Sequence, residues 1–190
     1  MVYLEKRGKM SIKDEYESLL DEVKSEFSDF EILVKNRSVL MKFIDAALHI
    51  ITFGQMKNFM TGFIITMGNK VYVPDSWEMS SITNKIEIIR HERVHMRQAK
   101  KYTRPLFSLL YLIVPFPIGV SYFRKKFEQE AYEESMRALH EYHGEKIFTP
   151  RLKEVIIDHF MSAQYFWMWP WRGNLEKWYD LTVQKILSGN

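Results

Sequence analysis

The chain has 190 residues, with 27 Lys and Arg against 24 Asp and Glu, a net charge of +3 and no cysteine. That length suffices for a substantial core, and the chain reads as one domain over residues 1–190. The lack of cysteine excludes disulfides and zinc–thiolate sites, and basic residues scattered among nearly as many acids form no nucleic-acid-binding arm.

Met1 to Asp21 is charged and lacks the apolar core of a secretory signal, so the expected location is cytoplasmic. Residues 11–29 open with Ser11 as a cap and carry Leu19, Leu20, Val23 and Phe27 at helical spacing. Phe30 to Lys35 reads as a short strand. Asn36-Arg37-Ser38 then starts a second helix, with Val39, Leu40, Phe43, Ile44, Ala47 and Ile51 expected on its buried side and Gly54 ending it. Phe59 to Val73 reads as a hairpin, two β-rich runs around Gly68-Asn69, closed by Pro74. An edge strand there offers main-chain hydrogen bonds to an extended peptide.

The next segment carries the chemistry. His91-Glu92-Arg93-Val94-His95 lies in a predicted helix, with Asn84 and Glu87 as a capping box and Arg97, Lys100 and Lys101 toward its C-terminal end. A helix turns about 100° per residue, so His91 and His95 stand one above the other and their imidazoles can converge on one ion. Two imidazoles suit Zn²⁺, and a catalytic zinc keeps one position open for water. Glu92, beside the first histidine, is placed to take the proton of that water and to return it to a leaving group.

Leu106 to Val120 is almost wholly apolar, with basic residues on both sides. Its fifteen residues and its two prolines, Pro115 and Pro117, fall short of the ~20 residues of a spanning helix. The expectation is a buried helix and turn covering the motif helix, with peripheral membrane contact through Leu106–Val120 as the alternative. Tyr122 to His143 reads as a long charged helix stopped by Gly144. Thr149-Pro150 caps another, and the aromatic run Tyr165 to Trp171 precedes a last helix near Leu175 to Leu187.

Two histidines and a water leave a tetrahedral zinc one ligand short. No histidine follows His95 within the next ten or so residues, which removes the metzincin arrangement, and the acidic helix supplies the alternative. Glu128 and Glu130 lie about 200° apart around a helix, so only one can face the metal, with Glu133 and Glu134 as weaker candidates. Among possible donors to an oxyanion, Tyr165 comes first, ahead of His159, His140, His143 and Tyr142.

His91-Glu92-Arg93-Val94-His95 followed by Glu128-Gln129-Glu130-Ala131-Tyr132 resembles the gluzincin type of zinc metallopeptidase. The longer arrangement, through the Trp-Met-Trp-Pro of residues 167–170, is similar to small metallopeptidase-like proteins of bacteria and their phages. The resemblance implies Glu128 as third zinc ligand. Tyr132 replaces the aspartate that supports a ligand histidine in that group. The resulting expectation is an α+β, zincin-like fold: a small sheet with its hairpin packed on the motif helix, and a mostly helical C-terminal half. The expected function is a zinc-dependent hydrolase, a metallopeptidase acting on a peptide or protein substrate. The alternative is a non-catalytic, metal-stabilised interaction protein or a membrane-associated one.

Overall fold

A computed structural model of the chain describes residues 10–51, 53–54, 56–113, 121–162 and 168–189, and shows an α+β protein with a small sheet and a mostly helical remainder. The backbone divides into two compact units, residues 1–89 and 90–190, with the division falling inside the motif helix.

The first unit opens with α1 (Ile12–Glu26), where Ser11 and Asp14 form a reciprocal capping box. Strand β1 (Glu31–Val34) runs parallel to β3 (Lys70–Val73), and β2 (Ile65–Met67) pairs antiparallel with β3 through the Gly68-Asn69 turn. The order β1-β3-β2 leaves β1 and β2 as the edges of this sheet. Helix α2 (Val39–Ile51) packs Met41, Ile44 and Leu48 against Phe59, Tyr72 and Leu33.

Two expectations are corrected here. Phe59–Gly62 is a single helical turn, not strand. The cause is Lys35, fully buried, whose ammonium donates to the Phe59 and Phe63 carbonyls and so diverts them from any strand ladder. Val39, Leu40 and Phe43 are exposed rather than buried. A sheet of three short strands offers surface for only one narrow helical stripe, and Met41, Ile44 and Leu48 occupy it.

The motif helix α3 (Ile82–Tyr102) begins slightly earlier than expected, because the Ser81 hydroxyl, not Asn84, accepts the orphan N–H of the first turn, that of Asn84 itself, at 3.2 Å. In the second unit, α4 (Arg104–Ser108) follows Thr103, which has a φ of 65°, and passes into a π-helical turn over Leu109–Ile113. Helix α5 (Tyr122–His143) stops at Gly144, whose φ of 69° closes the end with a 2.8 Å bond to the His140 carbonyl. Thr149 caps α6 (Pro150–Met161), and α7 (Arg172–Leu187) follows. Their apolar faces enclose Met136, Ile157, Phe160, Met168 and Leu175.

Candidate metal centre

Helices α3 and α5 build the site. On α3, His91 and His95 sit one turn apart with ring centroids separated by 5.0 Å. On α5, the buried Glu128 presents one oxygen to each: Oε2 is 3.7 Å from His91 Nε2 and Oε1 is 3.6 Å from His95 Nε2. The donor atoms of the three residues all lie within 4.8 Å of one another. Arg90 braces the two helices beside them, bonding Glu134 and Glu141 at 2.6 Å each.

The far side of each imidazole is also engaged. His91 Nδ1 lies 3.0 Å from the Ser135 hydroxyl, and His95 Nδ1 lies 3.0 Å from Gln98 Oε1. The Gln98 amide can point only one way, because its Nε2 donates to the Phe127 carbonyl at 3.1 Å and to Glu130 Oε2 at 2.8 Å, both pure acceptors. Gln98 Oε1 must therefore accept from His95 Nδ1–H. In neutral His95 the lone pair then falls on Nε2, aimed at Glu128, as a metal ligand requires.

The electrostatics favour a cation at the same point. Burial opposes a charge on His95, but Glu128 and Glu92 more than offset it and hold the imidazole up at about 9. Burial likewise opposes the Glu128 charge, yet His95 and His91 hold it well below the usual carboxylate range. A divalent cation can take the place of the proton that Glu128 favours on His95.

The other candidates fall into place around this group. Glu92 is buried, and its charge reaches both His95 and Tyr111. Glu130 serves Gln98, behind His95, instead of joining the triad. Glu134 pairs with Arg90, and Glu133 with Arg137 and Lys185. Tyr132 stands edge-on to His91 with centroids 5.0 Å apart, and its hydroxyl meets His159 Nδ1. His159, which burial holds below its ordinary pKa, stands close enough to the site to feel the charges of Glu128 and His91. His140 stacks on Phe148, and His143 lies exposed at the end of α5. Tyr165 lies outside the described residues, as do positions 114–120 of the apolar segment. The described part of that segment departs from the buried helix expected: Leu106 and Leu109 are exposed, while Phe107 and Tyr111 pack on His95 with centroids at 6.5 and 5.8 Å.

Three participants escaped the reading of the sequence. Gln98, at i+3 from His95 and i+7 from His91, shares their face and could have been found by spacing. Ser135 stands in the same relation to Glu128, two turns on, and supplies the partner that Tyr132 does not give His91. Tyr111 donates its hydroxyl to Glu128 Oε1 and lies in the π-helical turn, with the Arg124 guanidinium 5.1 Å from its ring centroid. No spacing rule reaches it, because the turn sets its direction.

The chain matches no known family model, no curated protein and no solved structure.

Proposed function

We propose that the protein is a zinc-dependent hydrolase of the gluzincin kind, with a zincin-like fold, acting on peptide bonds. The observation that carries this reading is the orientation of the two histidines: each Nδ1 is occupied and each Nε2 is turned toward a separate oxygen of Glu128. Two imidazoles and one carboxylate are a donor set of catalytic zinc, whereas a structural zinc usually takes a fourth protein ligand. Among the described residues the group comprises these three alone, which favours the enzyme over a metal-stapled interaction protein.

In this reading His91, His95 and Glu128 hold the ion. What a divalent ion supplies when bound is positive charge that acidifies a water and polarises a carbonyl. Glu92 accepts the proton of the attacking water and delivers it to the departing amine. Arg90, through Glu134 and Glu141, keeps the two helices in register while this happens. Gln98 and Ser135 fix the imidazoles. A donor for the oxyanion comes from Tyr165 or from the Tyr111 hydroxyl beside Glu128.

The test is elemental analysis of purified wild type, Glu128→Ala and Glu130→Ala, followed by peptide-library hydrolysis with Glu92→Gln as control. The expected result is about one zinc per chain in wild type, loss of it in Glu128→Ala, retention in Glu130→Ala, and zinc without hydrolysis in Glu92→Gln. Wild type that takes up no divalent ion after reconstitution overturns the metal site. Zinc binding with no hydrolysis by wild type overturns the enzyme and leaves the staple.

A further inference from the structure

Helix α2 has two apolar faces, and the core uses one. Opposite Met41, Ile44 and Leu48, the side chains of Val39, Phe43 and Ile50 are 82%, 72% and 75% exposed. At about 100° per residue, Val39, Phe43, Ala46 and Ile50 fall within roughly 60° of arc. They form one stripe along the helix. At its end Phe53 is 94% exposed with a φ of 51°, a conformation unfavourable to a side-chain-bearing residue. The turn is locked by bonds from Phe53 N–H to the Ile50 carbonyl at 3.2 Å and from Gly54 N–H to the His49 carbonyl at 2.7 Å. The two phenylalanines alone present about 150 Å² or more each. With Val39, Leu40 and Ile50 the patch reaches the several hundred Å² that mark an interaction site.

The charge around the stripe selects its partner. From Ile32 to Pro74 the single acid is Asp45, and of the five basic residues Lys35 is buried and Lys70 is paired with Glu31, which leaves Arg37, Lys42 and Lys57. Arg37, Lys42 and Lys57 are exposed, while Asp45 is half-buried. A second copy docked through the same stripe brings like charges together. A bilayer with anionic headgroups takes the apolar side chains and the lysines at once. At 13 residues α2 is about 20 Å long, too short to cross a hydrocarbon core of about 30 Å, so it lies in the plane of the surface.

We propose that α2 and the Phe53 turn form a docking face for an anionic lipid surface, with Val39, Phe43, Ile50 and Phe53 entering the headgroup boundary and Arg37, Lys42 and Lys57 meeting the headgroups. This face is independent of the metal centre and stands whether or not the protein is a hydrolase.

The experiment is co-sedimentation of the full chain with phosphatidylcholine vesicles, with and without phosphatidylglycerol, alongside sedimentation equilibrium without lipid. The expected result is partition onto the phosphatidylglycerol vesicles that weakens with added salt. A Phe43→Gln/Phe53→Gln double variant lowers the partition coefficient by about tenfold or more, and Lys42→Gln lowers it about fivefold on anionic vesicles. Both side chains of the double variant are exposed, so its circular dichroism and melting curve should match wild type. Absence of vesicle binding, or binding that the double variant retains in full, overturns the proposal. So does a dimer that forms without lipid and that the double variant dissolves, which assigns the stripe to a second copy.

Discussion

Gln98 Oε1 lies 3.0 Å from His95 Nδ1, and this contact, not Glu130 itself, links Glu130 to the candidate metal centre. The amide passes the pull of the Glu130 carboxylate to the imidazole and fixes which ring nitrogen carries the hydrogen. Gln98→Leu is expected to weaken zinc affinity by about 10- to 100-fold while leaving the three ligands in place. Competition against a chromophoric chelator measures this. An affinity equal to wild type would show that packing alone orients His95.

Protons and metal compete for His95. Its folded value, about 9, stands above the ordinary 6.5, so in metal-free protein its contribution to stability is fully present below pH 6.5 and disappears as pH rises through 9. Glu128 moves the other way: its contribution is fully present above 4.5 and disappears as pH falls through its much lower folded value. The pair therefore supports metal-free protein most fully between 4.5 and 6.5. Apparent zinc affinity should climb with pH and level off above about 9. Urea midpoints across this range, with chelator and with zinc, test both slopes.

Lys35 is expected to matter for stability alone. Burial lowers its pKa from 10.5 to about 8, so its contribution is fully present above 10.5 and is lost as pH falls through 8. Wild type should thus gain stability, relative to Lys35→Met, as pH rises from 8 to 10.5. At neutral pH the Met variant leaves the Phe59 and Phe63 carbonyls without this donor, at a cost of about 1–3 kcal/mol, partly offset because no charge is buried. Denaturant unfolding of both proteins at several pH values decides it.

Tyr111→Phe removes one hydroxyl from Glu128 Oε1 and keeps the ring against His95. Metal-free protein should lose about 1.5–3 kcal/mol, the range for a hydrogen bond to a charged group. Zinc stoichiometry should be unchanged, because none of the three ligands is touched. Thermal melts in chelator, set beside elemental analysis, separate the two outcomes.

Much of the helical framework was legible because its signals are local. Ser11, Gly54, Gly144 and Thr149-Pro150 mark ends through bonds to residues within a few positions, and the structure places helix ends at each. The strand expected at Phe59 failed because the deciding partner, Lys35, is 24 residues away. The inward assignment of Val39, Leu40 and Phe43 failed for a related reason. Periodicity shows that a helix has an apolar face, but α2 is apolar nearly all round, and the narrow sheet determines which stripe it covers.

At the candidate centre, the sequence by itself determined the one-turn spacing of His91 and His95 and the place of Glu92, because the period of a helix is set by its backbone. The separation of Glu128 and Glu130 around α5 showed that only one of them can face the metal, with Glu133 and Glu134 as weaker candidates, and the gluzincin resemblance pointed to Glu128. Which carboxylate meets the imidazoles depends on how α5 is rotated toward α3, and the tertiary structure turns Glu128 to the imidazoles and Glu130 to Gln98. The same packing brought Ser135 to His91 and Tyr111 to Glu128. These contacts join residues 17 and 44 positions apart, distances over which backbone periodicity carries no information and side-chain packing carries all of it.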